Sequence, residues 1–129
     1  MIRTTLLVAL LGATFTAPAM AEGISTHVLN IATGHGGQDI PVTLDVREGD
    51  AWVEIGRGVT GANGRVEGFG IETEDADYRL TFKLSDYAAL GGEPLFPEIS
   101  IVFDVSDMDR HHHVPVLVSP FGYSTYLGN

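Results

Sequence analysis

The stretch HHHVPVLVSPFGYSTYLGN, His111 to Asn129, decides how this chain is read. A triple histidine enters an apolar, β-branched run, Pro120 and Gly122 turn the chain, and a second short extended piece runs to the last residue. Alternate side chains of a strand face opposite ways, so His112, Val114, Val116 and Val118 share one face. His111, His113, Pro115 and Leu117 share the other. The valine face is the expected core face. Pro115 has no N–H to give to a ladder, which marks an edge or an irregular site on the histidine face. Chain ends fray unless something ties them down. Aromatic and β-branched residues almost to the last position predict a packed C-terminus.

The same period of two recurs upstream. Ile24 to Ile31 places Ser25, His27 and Leu29 on one face, and Ile40, Val42, Leu44 and Val46 alternate against Pro41, Thr43 and Asp45. Ala51 to Thr60 is a further strand with Trp52, Glu54 and Gly56 on one face. Tyr78 to Leu84 alternates again, and Ile99, Ile101, Phe103 and Val105 are the core face of Glu98 to Ser106. Glycine-rich turns separate these runs at Thr33 to Gln38, Glu48 to Asp50 and Gly61 to Gly64. The last holds Asn63-Gly64, a hairpin signal because both residues tolerate positive φ. One short helix is expected over Asp86 to Leu90, capped by Ser85 and ended by Gly91-Gly92. Seven or eight short strands and one short helix predict an all-β, two-sheet sandwich.

The chain has 129 residues and no cysteine. Its first 21 residues read as a signal peptide: Arg3 in the n-region, an apolar run Leu6 to Leu11, then Ala19-Met20-Ala21. A membrane anchor is the alternative, but it needs roughly 20 apolar residues in a row. Residues 22–129 form one domain that can bury a core without staples. The predicted location is the periplasm. Net charge is −10, and loss of Arg3 with the signal takes it to −11. Such a chain repels phosphate backbones, and no basic amphipathic stretch suits a membrane surface. Nucleic acid and membrane are therefore not expected partners.

Taken singly, the polar candidates are ambiguous. His111, His112 and His113 suit three solvated histidines near a turn. His111 and His113, with His27 or His35, suit a metal site, but the spacing matches no known ligand pattern. His27 suits a hydrogen-bonded surface histidine, and Arg65 a solvated turn charge. Ser25, Ser119 and Ser124 lie outside any GxSxG setting for a nucleophile. The GHGG turn lacks the lysine and following helix of a phosphate loop.

Together they form a pattern. STHVLN (25–30), GANGR (61–65) and HVPVLVSPFGYSTY (113–126) resemble the three signature blocks of the transthyretin-like 5-hydroxyisourate hydrolases. Similarity continues through IPVTLDV, YRLTF and FPEISIVFDV, and so covers 24–129. The resemblance implies a transthyretin-like sandwich, assembled as a homotetramer (a dimer of dimers) with active sites in an interface channel. It also implies hydrolysis of 5-hydroxyisourate, the product of urate oxidation, with no metal or organic cofactor. It assigns catalysis to His27, Arg65 and His113, and substrate binding to His27, Arg65 and Tyr126. Family members end Tyr-Arg-Gly-Ser, whereas this chain ends Tyr126-Leu127-Gly128-Asn129. Leu127 lacks the charge and donors of arginine, so the alternative is a transthyretin-like binding protein with impaired turnover.

Overall fold

The computed structural model describes residues 23–129; the expected signal peptide, residues 1–21, lies outside the described residues. The described chain is a sandwich of two sheets. In chain order the strands are β1 (Ile24–Asn30), β2 (His35–Gly36), β3 (Pro41–Glu48), β4 (Ala51–Val59), β5 (Arg65–Val66), β6 (Ala76–Lys83), β7 (Glu98–Val105), β8 (His112–His113), β9 (Val116–Ser119) and β10 (Gly122–Thr125). One sheet has the order β4-β3-β6-β7, all antiparallel. The other has the order β10-β9-β1-β2, with β5 and β8 also pairing to β1.

The core forms where the alternating positions of the two sheets meet. Val42, Leu44 and Val46 of β3, Leu80 and Phe82 of β6, and Ile99 and Val105 of β7 are buried from one side. Val28 of β1 and Val116 and Val118 of β9 are buried from the other. His112, Val114, Val116 and Val118 are all buried, as the alternation requires, and His111, His113 and Leu117 are half-buried. A polar layer is satisfied inside this core. The Thr26 hydroxyl donates to the Val114 carbonyl at 2.6 Å, and the Asn30 amide donates to the Ala89 carbonyl at 2.8 Å.

Ten strands are present rather than seven or eight. The additional ones are two-residue pairings at His35–Gly36, Arg65–Val66 and His112–His113, all of them on β1. Strands that short carry too few residues to show an alternation. The terminal histidine run is divided into β8 and β9 at Pro115, because proline gives no N–H to the ladder. Both pieces nevertheless pair parallel to β1 in one continuous register.

Three local expectations change. A register shift between Leu44 and Asp45 pairs Leu44 with Gly56 and Asp45 with Glu54, leaving Ile55 as the extra residue of a bulge. Gly56 thus changes sides relative to Trp52 and Glu54, and a Cβ on it would stand 2.9 Å from that of Phe69. The helix is a single 3₁₀ turn, Ala88–Leu90, with no side-chain cap from Ser85. It is held by burial of Leu90, since a segment this short cannot repay α-helix nucleation. Finally, the Asn63-Gly64 turn closes no hairpin: β4 belongs to one sheet, and β5 after the turn pairs with β1 of the other.

Candidate active site

That sheet-crossing turn builds the site. Gly64 has φ +80°, and a Cβ on it would lie 2.3 Å from the Val28 carbonyl oxygen and 2.8 Å from the Gly36 Cα. Only glycine lets the turn lie this close against β1. The Val28 N–H donates to the Gly64 carbonyl at 2.8 Å, and the next residue, Arg65, becomes the cross-strand partner of His27. On the other side of β1, Ser25 is paired with His113. Ser25 and His27 are two apart on one strand and so face the same way. Residues 38 and 86 positions from His27 and distant from each other in sequence are thus gathered on one face.

The side chains interact. The Ser25 hydroxyl lies 2.7 Å from Nε2 of His111 and 2.7 Å from Nδ1 of His113. Burial, and then the Arg65 guanidinium, holds the His27 imidazole below its ordinary value, while a hydrogen bond to the Asn63 backbone and the charge of Glu67 pull upward. His113 is lowered first by burial, then by Arg65, His27 and His111, with Glu67 opposing. Arg65 and Glu67 act on both rings, and His27 acts on His113, so His27, Arg65 and His113 form one electrostatic unit. Its histidines are neutral near pH 7, and its fixed cation is arginine.

The C-terminus is tied down at this cluster. Gly128 forms a bridge with His113, and its N–H donates to the His113 carbonyl at 2.7 Å. A Cβ on Gly128 would come within 2.7 Å of Cδ2 of the His113 ring, so the glycine lets the terminal strap lie against the imidazole. Tyr126 and Leu127 point elsewhere in the isolated chain. They line a cleft of about 250 Å³ with Ile101, Phe103, His112 and Val114. Tyr126 is largely exposed and makes no hydrogen bond to His27, Arg65 or His113 among the described residues.

Ser25 and His111 were legible only as candidates for a nucleophile or a metal ligand; their joint contact with His113 needs the parallel pairing of β1 and β8. Glu67 and Asn63 were not singled out. Glu67 follows Arg65 by two residues in an extended segment, and that shared face is the signal that marks it. No grouping of three or more histidine, cysteine, aspartate or glutamate side chains fit to hold a metal ion occurs among the described residues.

A transthyretin-like sandwich with two histidines and an arginine converging on one strand defines the class. The chain belongs to the HIUase/Transthyretin family, whose profile matches residues 24–128. It is 36% identical over 121 residues to a 5-hydroxyisourate hydrolase of Salmonella typhimurium, covering 88% of this chain and 89% of that one. It is 39% identical over 116 residues to 5-hydroxyisourate hydrolase 2 of Rhizobium meliloti, covering 82% and 95%. Among solved structures, 5-hydroxyisourate hydrolase of Klebsiella pneumoniae superposes with a TM-score of 0.70 at 35% identity, covering 82% of this chain and 98% of that one. Sea bream transthyretin in complex with thyroxine shares the fold, with a TM-score of 0.74 at 24% identity and coverage of 82% and 94%.

Proposed function

We propose that this protein hydrolyses 5-hydroxyisourate to 2-oxo-4-hydroxy-4-carboxy-5-ureidoimidazoline in urate degradation. The observation that carries the reading is the pairing of β1 with β5 on one side and β8 on the other. It sets His27, Arg65 and His113 together in a chain whose relatives are 5-hydroxyisourate hydrolases.

The chemistry suits these groups. Opening a cyclic amide needs a water activated next to the carbonyl carbon, and a donor or cation where negative charge develops on oxygen. A neutral imidazole takes the proton from water. The Arg65 guanidinium binds a planar, electron-rich heterocycle through paired hydrogen bonds and stabilises the developing anion. Tyr126 is assigned to substrate binding, holding the site's shape or donating to a substrate oxygen, and no metal or organic cofactor enters the scheme.

The working form in this proposal is a homotetramer, a dimer of dimers whose interface channel holds the sites, and its location is the periplasm after removal of residues 1–21. Urate oxidised enzymatically supplies 5-hydroxyisourate, whose absorbance decays spontaneously. The mature protein should accelerate that decay, and an unchanged rate rejects the hydrolase reading. Native mass spectrometry should give four copies, and cell fractionation should find the processed chain in the periplasmic fraction.

A further inference from the structure

The Ser25 hydroxyl is one hydrogen and two lone pairs held between two imidazoles, 2.7 Å from Nε2 of His111 and 2.7 Å from Nδ1 of His113. Ser25 is only 5% exposed, so its one hydrogen goes to one ring and it accepts from the other. The choice of direction sets both tautomers. If Ser25 donates to His111, neutral His111 carries its proton on Nδ1. That atom is buried and meets no hydrogen-bond partner among the described residues. A buried N–H without an acceptor costs about 1–3 kcal/mol.

In the other direction, Nε2–H of His111 donates to Ser25, and Ser25 donates to Nδ1 of His113. Nδ1 of His111 then holds only a lone pair, and an unmet acceptor is tolerated more often than an unmet donor. Nδ1 of His113 is an acceptor, so its proton sits on Nε2. The Ser25 hydroxyl is committed at both ends and is not a nucleophile.

His27 needs no such fixing to act as a base. It lies directly opposite Arg65 on the same face as Ser25, and a neutral imidazole always keeps one bare, accepting nitrogen. The charged or titratable groups around the two rings are Arg65, Glu67 and His111, together with the rings themselves.

We infer that His111 and Ser25 are positioning residues that hold His113 as an Nε2–H donor and leave the bare nitrogen of His27 as the base. This assignment rests on the hydrolase reading and divides its labour. His27 takes a proton from water as the hydroxide oxygen bonds to the ring carbonyl carbon. The carbonyl oxygen, now anionic, receives the hydrogen bond from His113 Nε2–H without proton transfer. When the C–N bond breaks, the leaving nitrogen takes the proton held by His27, which returns to its starting state.

The test begins with the wild-type protein labelled with nitrogen-15 in its imidazoles, at a pH of about 8 where both rings are neutral. Long-range proton–nitrogen spectra should show His113 protonated at Nε2 with an acceptor-type Nδ1. Protonation at Nδ1 overturns the assignment, whatever any variant does. Ser25→Ala should then lower kcat by roughly 10-fold or more with little change in KM and release the tautomer preference, as loss of an orienting partner does. Ser25→Thr, which keeps a hydroxyl, should restore both. A Ser25→Ala protein with wild-type kcat and an unchanged His113 spectrum overturns the positioning role. The spectra need no substrate, so the two readings fail separately. The assigned tautomers in a protein without activity reject the reaction, whereas the reverse tautomer in an active protein rejects this inference alone.

Discussion

Arg65 and His27 are directly opposed on the antiparallel strands β5 and β1. The guanidinium lowers the pKa of His27 and, across β1, that of His113, second in each case to burial. With both pKa values below the ordinary imidazole value of about 6.5, the neutral rings persist to lower pH than free histidine, and the acid limb of kcat/KM lies below that value. Arg65→Gln removes the second-largest depressing effect on each ring. The acid limb should therefore move up in pH, though not fully to the ordinary value, because burial remains. The rate at its optimum should fall roughly 10- to 1,000-fold with the lost anion-stabilising group. A pH–rate profile of both proteins checks this, and a downward shift would contradict the assigned electrostatics.

The same depressed histidines make folding stability pH-dependent. The unfolded state binds protons near pH 6.5, and the folded state binds them only at lower pH. Stability from this source is therefore present above the ordinary value and declines as pH falls through the folded pKa values. Urea midpoints should fall between about pH 7 and pH 5, and less steeply in the His27→Gln, His113→Gln double variant.

Gly64→Ala is expected to be strongly damaging. It adds a Cβ 2.3 Å from the Val28 carbonyl oxygen at a backbone angle of φ +80°. Strain of this kind costs about 1–3 kcal/mol, and relief of the clash displaces Arg65. Urea unfolding should show the loss, and kcat/KM should fall in the fraction that remains folded. An unperturbed enzyme would mean that β5 does not need its close approach to β1.

Gly128→Ala tests the contact between the terminal strap and the His113 ring. The added methyl meets Cδ2 of the His113 ring at 2.7 Å. Gly128 is buried, so the melting temperature should fall as well, by the roughly 1–3 kcal/mol that overpacking a filled site costs. Activity should fall at least roughly 10-fold as the imidazole is turned from its productive orientation.

Leu127→Arg with Asn129→Ser restores the family's terminal sequence. Leu127 is half exposed and lines a cleft against Ile101 and Phe103, so the exchange should be nearly neutral for folding. It should raise kcat/KM above an already measurable wild-type rate. Activity that appears only in the double variant would instead make the natural chain a binding protein.

Much of this was legible in the order of residues. Ile40, Val42, Leu44 and Val46 announced β3 because a half-buried strand imposes a period of two on its own sequence. His112 to Val118 announced the core face of the terminal run for the same reason. The identities of His27, Arg65 and His113 came from three spaced blocks. Gly56 was misplaced because one bulged residue, Ile55, reverses the faces beyond it, and a bulge depends on the partner strand.

Local alternation and turn chemistry thus determined by themselves an all-β chain and its core-facing residues, while the resemblance of three spaced blocks marked the candidate chemistry. Only the tertiary structure decided which strands meet. Asn63-Gly64 looks like a hairpin turn in any sequence, yet burial of Val66 against the opposite sheet and the close fit of Gly64 on β1 send the chain across the sandwich. The parallel pairing of β1 with β8 is likewise a long-range choice, and with it comes the His111–Ser25–His113 chain. Side-chain periodicity is written residue by residue, whereas strand pairing is settled by the packing of the whole core.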